Sequence, residues 1–463
     1  MDAAPPHNAT PSCPGCVARD RRIAELEARL AALEALVEQL RRGGKRQAAP
    51  FSKGEPKSEP KAPGRKGGDG YGTKARRAAP PPDAVDEVHV AGLPASCPGC
   101  GGGVTPTHTA HQYQVEIPRR PIHRRFDVRV GRCAGCGRRV QGRHPLQTSD
   151  ALGACASQIG PDAQAGIVHL NKRAGLSHGK VKAFFRDLFG VDLSRGGSCQ
   201  AVLRAGRRCG GTYGAILAHV RSADRAVPDE TGWRVGGLGA WLHAAATGVA
   251  AAYLIHRRRG FDAAADLLGP GYAGTLTRDG WAAYGRFRLA RHQLCLAHLL
   301  RRCRELLAAA TRGAVVFPRN VRALLKEALS VRDDRDAGRL TAPAAAARPD
   351  DLDARMYRLL RPVKANPANE RFARHLWDNR RHLFTFLRHG RVDATNWRAE
   401  QALRPAVVNR KVWGGNRTWA GAHAQSVLMS VLQTAALLQK DSMDFLSRLL
   451  CAPADRQPSL LPA

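Results

Sequence analysis

Three carboxylates in this 463-residue chain stand where their chemistry can be used: Asp229, Asp279 and Glu400. Asp229 lies within a run of strand-forming residues, Ala226 to Val235, and Asp279 closes another, Gly274 to Asp279. Glu400 is a lone acid ahead of Arg404, Arg410, Lys411 and Arg417, and an acid in so basic a segment is either salt-bridged or bound to metal. Carboxylates held together suit phosphodiester chemistry. That reaction needs an activated oxygen nucleophile and a stabilised leaving oxygen, which a pair of magnesium ions can supply. Magnesium takes hard oxygen ligands, hence aspartate and glutamate. Each acid has a competing reading. Glu230 adjoins Asp229, though strand alternation sends it to the opposite face. Asp229 also reads as a buried structural aspartate, and Asp279 as the turn residue of Asp-Gly. Asp393 rivals Glu400 from a position where a helix N-cap is expected.

Positioning these acids requires a sheet. Ala226 to Val235, Ala240 to Gly248 and Val249 to Arg257 read as successive strands, Phe261 to Leu268 as a short helix, and Gly274 to Asp279 as a fourth strand. Three strands, a helix and a further strand is the order of a ribonuclease-H-like fold, in which the first and fourth strands are neighbours and bring their acids together. Ala297 to about Arg388 is a long helical stretch whose Asp333, Asp334, Asp350 and Asp351 sit in solvated polar clusters. Asn396 and Glu400 are one helical turn apart on a common face.

Lysine and arginine total 73 against 39 acids, a formal net charge of +34. So large an excess, spread along the whole length, calls for a polyanionic partner, nucleic acid above all. A high-GC coding bias explains arginine over lysine but not the shortage of acids. No apolar run reaches the length of a membrane span and no secretory signal opens the chain, so a cytoplasmic, nucleoid-associated protein is expected. Cysteines in a reducing compartment, several paired as Cys-x-x-Cys, point to zinc rather than disulfides.

The N-terminal modules fit that reading. In residues 17–42, Ile23, Leu26, Leu30, Leu33, Val37 and Leu40 form an a/d seam, with Arg22 and Arg29 at g and Glu27 and Glu34 at the following e positions. This is the pattern of a parallel two-stranded coiled coil, and predicts a homodimer; a helix packed on its own protein is the alternative. Cys13 and Cys16 upstream supply two thiols, so a zinc shared between two chains is one expectation and free thiols the other. Lys45 to Asp83 carries ten basic and four acidic residues with almost no apolar content, the composition of a disordered linker. Cys97, Cys100, Cys133 and Cys136 then bracket two alternating runs, Tyr113, Val115, Ile117 and Phe126, Val128, Val130. Two strands between two knuckles predict a zinc ribbon with four thiolates, the metal supplying folding energy. Its hairpin tip, Arg119, Arg120, His123, Arg124 and Arg125, reads as a phosphate-contacting patch or as a solvated turn. Ser177 predicts an N-cap ahead of Val181, Phe184, Phe185 and Leu188, Gly190 a stop, and Ser194 a second cap for a helix to about Cys209. Helix, turn and helix with Arg195, Gln200, Arg204, Arg207 and Arg208 is the pattern of a helix-turn-helix, and equally of an all-α connector.

The segments Asp229-Glu230-Thr231, Asp279-Gly280-Trp281-Ala282-Ala283-Tyr284, Cys295-Leu296-Ala297-His298 with Arg301 and Arg302, and Asn396-x-x-x-Glu400-x-Ala402-Leu403-Arg404-Pro405 with Arg410-Lys411 resemble the insertion-sequence 66 transposase family. Each motif is short; the ordered set, running over nearly the whole chain, is specific. The resemblance implies a bacterial DDE transposase whose catalytic, magnesium-binding acids are Asp229, Asp279 and Glu400, with a helical insertion between the second and third. Three positions depart from the family pattern: Gln401 stands where arginine is usual, Trp397 where a small or polar residue is, and Gly414-Gly415 where an aromatic is.

The expected architecture is therefore multidomain α/β. It comprises an N-terminal Cys-x-x-Cys and coiled coil (1–43), a basic linker (44–84), a zinc ribbon (85–145) and a helix-turn-helix-like domain (155–222). A ribonuclease-H-like catalytic domain (223–300 and 391–440) follows, with a helical insertion (301–390) and a C-terminal tail (441–463). The expected activity is metal-dependent cleavage at element ends and transfer of the freed 3′-hydroxyl into target DNA. Two magnesium or manganese ions and structural zinc are the expected cofactors, and double-stranded DNA the partner. DNA contacts are expected from Arg119, Arg120, Arg124, Arg125, Arg204, His298, Arg301, Arg404, Arg410 and Lys411. Cys295 and His298, two ligands only, are too few for zinc and are expected in packing or in the active-site wall, with His298 a candidate contact to the scissile phosphate. Trp413 reads as a core residue or as a stacking platform for an unpaired base. The alternatives are an inactive, transposase-derived DNA-binding repressor and a structure-specific nuclease.

Overall fold

The computed structural model describes residues 14–44, 78–115, 117–118, 120–153, 158–453 and 456–462. Contacts divide the chain into two units, Met1–Ile117 and Pro118–Ala463. Cys13, Arg119 and nearly all of the predicted linker lie outside the described residues, as do the side chains of Cys16 and Leu40.

In the first unit, α1 (Pro14–Gly44) covers the predicted heptad segment. Its Ile23, Leu26, Leu30, Leu33 and Val37 are all exposed. Arg22 and Arg29 both pair with Glu25 along the same helix. Further on, Cys97 N–H donates to Gly102 O and Gly101 N–H to Cys97 O, closing a knuckle on a left-handed Gly101 with φ 76°.

The second unit opens with the same knuckle: Cys133 N–H donates to Arg138 O, Gly137 N–H to Cys133 O, and Gly137 has φ 68°. Here the knuckle closes a short antiparallel hairpin, β1 (Val130–Arg132) with β2 (Arg139–Gln141). This corrects the sequence expectation of two strands centred on 113–117 and 126–130. The hairpin grows out of the second cysteine turn itself, while Tyr113, Val115 and Ile117 are solvent-exposed and outside any strand. Arg120, Arg124 and Arg125 accordingly lie outside any strand or helix and not at a hairpin tip.

Four helices follow: α2 (Pro161–Lys172), α3 (His178–Phe189), α4 (Arg195–Arg208) and α5 (Gly210–Ser222). Ser177 caps α3 by accepting from Lys180 N–H, Gly190 ends it at φ 66°, and Ser194 caps α4 by accepting from Gly197 N–H, as the cap chemistry predicts. The apolar faces of α2–α5 share one core with the central sheet.

That sheet has five strands in the order β5-β4-β3-β6-β7: β3 (Arg225–Val235), β4 (Leu238–Ala246), β5 (Ala251–His256), β6 (Thr275–Arg278) and β7 (Arg291–Leu294). β3–β4–β5 is an antiparallel meander; β6 and β7 add in parallel beyond α6 (Phe261–Leu268). This mixed topology is consistent with a ribonuclease-H-like DDE domain. α7 (Leu296–Ala309), α8 (Val316–Asp336), α9 (Ala342–Leu360), α10 (Pro367–Asp378) and α11 (Thr385–Arg388) follow, and enclose a second core around Cys303, Val321, Leu325, Leu352 and Met356.

α12 (Trp397–Trp413) returns to the sheet, setting Ala402, Leu403 and Ala406 against Trp233, Leu242 and Ala244. α13 (Trp419–Leu437) seals the edge strand. The N–H groups of Ala251, Tyr253 and Ile255 donate to the hydroxyls of Thr434, Ser430 and Ser426 at 3.1, 2.9 and 3.0 Å. Residues four apart on a helix thus meet residues two apart on a strand, and the open edge of β5 loses its unpaired donors. The sequence places a tail at 441–463; its first part is α14 (Ser442–Cys451), whose Phe445, Leu446, Leu449 and Leu450 are buried in the core. Among the described residues no helix is long and apolar enough to cross a membrane.

Candidate active site

Strand register brings the first two acids level. Ala226 pairs with Leu276 on the parallel β3 and β6, and Asp229 and Asp279 each lie three residues further on. Adjacent strands run about 4.8 Å apart. Glu400 lies in the first turn of α12, one turn after Asn396. All three acids are half-buried. The Asp229 carboxyl is pushed up to about 7, first by burial and then by the charges of Glu230, Asp279 and Glu400, against a lowering hydrogen bond from Glu230 N–H. Neighbouring carboxylates that raise the proton affinity of Asp229 mark a site that a cation would relieve.

The rival acids are spent on structure. The side chain of Glu230 is only 1% exposed; it pairs with Arg259 at 2.8 Å and accepts from Tyr284 Oη–H at 2.6 Å. Arg259 lies over the rings of Trp241 and Trp281. Glu230, Trp281 and Tyr284 of the sequence motifs therefore form a clamp between β3 and the turn after β6. Asp393 is paired with Arg398 at 2.6 Å and accepts from Trp397 Nε1–H at 3.2 Å. It is not the helix cap expected from the sequence; Asn396 holds that position. The Glu400 carboxylate makes no hydrogen bond or ion pair among the described residues, and Asp279 Oδ1 accepts only from Trp281 N–H at 2.9 Å.

Asn396 occupies the cap position of α12 without capping it. Its Nδ2 stands 3.5 Å from Asp229 Oδ2, its Oδ1 accepts from Cys295 Sγ–H at 3.1 Å, and its N–H donates to Cys295 Sγ at 3.3 Å. Cys295 is wholly buried, at the start of α7, and thus belongs to the wall of the site.

A cavity of about 340 Å³ is lined by Gly280, next to Asp279, and by Cys295, His298, Arg302, Arg371 and His375 among others. His298 Nδ1 is buried, with no hydrogen-bond partner among the described residues. A Cβ on Gly280 would lie 2.8 Å from His375 Cε1, which is why Asp279 is followed by glycine. Burial and nearby Arg278 hold His375 below the ordinary histidine range. Arg278 itself is buried and donates to Asp279 O, His292 Nδ1 and Asn379 Oδ1. Neither Arg278 nor His375 stood out in the sequence; the adjacency of Arg278 to Asp279 was the available signal for the first.

The predicted DNA-contacting residues are placed unevenly. Arg120, Arg124, Arg125, Arg204, Arg301, Arg404 and Lys411 are exposed. Arg125 is paired with Asp127. Arg410 is used inside the fold, donating to Thr231 Oγ1 and Gly232 O. Trp413 packs edge-on to Trp233 at 6.0 Å, the core alternative of its two readings. The glycine pair has a structural cause: Gly414 ends α12 at φ 81°, and a Cβ on Gly415 would collide with Arg234 O as the loop runs beside β3.

Divalent metal fits the acid cluster by donor chemistry, hard oxygens in a half-buried electronegative pocket. Each cysteine knuckle supplies a pair of thiols, and neighbouring backbone N–H groups hold Cys97 and Cys133 below the ordinary thiol range. Among the described residues no group of three or more His, Cys, Asp or Glu side chains is gathered tightly enough to form a metal site as it stands.

Residues 156–424 match the family described as "Transposase IS66 family". The chain is also 27% identical over 312 residues to the uncharacterized protein y4qI of Sinorhizobium fredii, a match covering 60% of this chain and 56% of that protein, so that it spans little more than half the relative's length. The family match takes in α2 to α5, the whole sheet, the helices of the second core, and Asp229, Asp279 and Glu400; the chain belongs to the IS66 family of transposases.

Proposed function

We propose that this protein is a DNA transposase that cleaves the ends of its element and joins the freed 3′-hydroxyl to target DNA, with Asp229, Asp279 and Glu400 as its catalytic carboxylates. The observation that carries this reading is the level placement of Asp229 on β3 and of Asp279 directly after the adjacent parallel β6, together with the electrostatic influence of Asp279 and Glu400 on Asp229. Two magnesium or manganese ions, when bound, would activate the attacking oxygen and stabilise the leaving one. Asp229 and Asp279 would hold them from the sheet and Glu400 from α12. Asn396, braced by Cys295, orients the Asp229 carboxylate. The clamp of Glu230, Arg259 and Tyr284 keeps β3 and the Asp279 turn in register. Exposed Arg301, Arg404 and Lys411, with His298, are proposed to take DNA phosphates, as are Arg120, Arg124, Arg125 and Arg204 in the preceding modules.

Structural zinc on the cysteine knuckles is proposed from the sequence pattern and from the turn that each knuckle forms. Self-association through α1 is proposed from its continuous exposed seam, which a second copy of the same helix would cover. The decisive experiment is strand transfer with element-end DNA and magnesium, for wild type and Asp279→Ala. Metal-dependent joining lost in the variant supports the reading. Cleavage without joining would make the protein a nuclease, and DNA binding without cleavage by either form a repressor.

A further inference from the structure

Val227 lies two residues before Asp229 on β3, so the two share a face of the sheet, and Thr277 lies two residues before Asp279, which directly follows β6. Val227 and Thr277 both line a cleft of about 790 Å³, whose lining thus comes within two residues of Asp229 and of Asp279 along the chain. Its walls come from the end of α5 and the start of β3, with Arg225, from the β4–β5 turn, and from the helices and loop beyond β7, with Arg332, Arg335, Arg391 and Arg398. Three aspartates also border it. Asp336 and Asp393 are each held by an arginine, Arg335 and Arg398, and Asp224 adjoins Arg225.

The remaining cations differ in how far they are committed. Arg332 pairs with Asp333, and Arg335 also donates to the carbonyls of Phe386 and Leu387, so both brace the wall. Arg225 and Arg391 are exposed, and their side chains make no hydrogen bond or ion pair among the described residues. Arg391 also has a left-handed backbone, φ 62°. A bulky residue pays conformational energy to sit there, and such positions concentrate where a side chain must be aimed.

We propose that this cleft seats the sugar–phosphate backbone of a DNA strand leaving the acid cluster, with Arg225 and Arg391 as its phosphate contacts. The inference rests on the transposase reading for the identity of the polyanion. It assigns the helical insertion and the loop that follows it a share in gripping the DNA. Element-end DNA and target DNA carry the same phosphodiester chemistry, so the test must separate them.

The test uses the full chain carrying Arg225→Ala with Arg391→Gly, glycine being chosen because it accepts the left-handed backbone. DNA affinity is measured across a range of salt concentrations on an element-end duplex and on an unrelated duplex. Loss of both contacts is expected to reduce the slope of log affinity against log salt by about two, with lysine at both positions restoring it. A fall on the end duplex alone assigns the cleft to donor DNA, and a fall on both assigns it to backbone of either source. A control with equal charge change outside the cleft, Arg304→Ala with Arg358→Ala, should move the slope less. An unchanged slope on both duplexes, or an equal fall in the control, overturns the proposal. Strand transfer by wild type, run alongside, keeps the two claims apart: joining with an unchanged slope refutes the cleft alone, and a reduced slope without joining refutes the transposase reading alone.

Discussion

The amide of Asn396 points away from the helix it should cap and stands 3.5 Å from the carboxylate of Asp229. A cap sacrificed in this way costs about 1 kcal/mol of helix stability, and here the side chain is turned to the acid cluster and to Cys295. Partners of metal-ligating carboxylates typically change metal affinity about 10–100-fold when removed. Asn396→Ala is therefore expected to weaken manganese binding by that factor while leaving DNA affinity unchanged. A manganese titration followed by electron paramagnetic resonance reads it directly, and equal affinity in the variant would show the amide to be irrelevant to the metal.

Glu400 rests on the fewest independent observations and is the acid to test first. Glu400→Gln keeps size and removes charge. If Glu400 holds metal, several kcal/mol of transition-state stabilisation are lost, about a thousandfold or more in joining rate. Asp393→Asn should lose far less, since Asp393 is paired with Arg398. The reverse ranking in a strand-transfer assay would exchange the two assignments.

The pH dependence has a definite sign. Burial and neighbouring carboxylates raise Asp229 to about 7 in the folded, metal-free chain, above the ordinary aspartate value of about 4. A carboxyl raised on folding favours the native state below its unfolded value, and that contribution is lost as pH rises through the folded one. The metal-free protein should thus lose stability between about pH 4 and pH 7 from this group, and manganese should restore it. Calorimetric titration should also find proton release on metal binding near pH 6 that vanishes by pH 9. A release that does not change with pH would contradict the shift.

The clamp and the edge seal are both testable by small deletions. Tyr284→Phe removes the donor to the buried Glu230 carboxylate, and a hydrogen bond to a charged group is worth about 1.5–3 kcal/mol. Ser430→Ala leaves the buried Tyr253 N–H without its acceptor, at a cost of about 1–3 kcal/mol. Each should lower the denaturant midpoint, and because the two groups lie in separate parts of the sheet the losses should add. No change in midpoint for Ser430→Ala would mean that water replaces the hydroxyl.

Gly280 and Gly415 should not tolerate alanine. At Gly280 the new methyl meets the ring of His375, 2.8 Å away, so the ring or the Asp279 turn must shift. Loss of joining with little change in melting temperature is the expected signature. At Gly415 the obstacle is backbone, Arg234 O, at φ 121°. There the damage should be a fall in stability of about 1–3 kcal/mol, read by thermal melting.

The sequence alone determined whatever depends on local rules. Hydrophobic alternation placed the strands carrying Asp229 and Asp279 to within a few residues, and cap chemistry at Ser177, Gly190 and Ser194 set the helix ends, because turns and caps are satisfied by residues a few positions away. The ordered motifs identified the family. Tertiary structure decided the rest, because it depends on partners remote in the chain. Glu230 and Asp393 could be told from the candidate acids Asp229, Asp279 and Glu400 only once Arg259, Tyr284 and Arg398 were seen to hold them. Neither the hydroxyls of α13 along β5 nor the free arginines of the cleft carry any local signature. The hairpin at the second cysteine pair was misread for a related reason: alternation at Tyr113 to Ile117 describes how a strand would look, and only a hydrogen-bonded neighbour makes one.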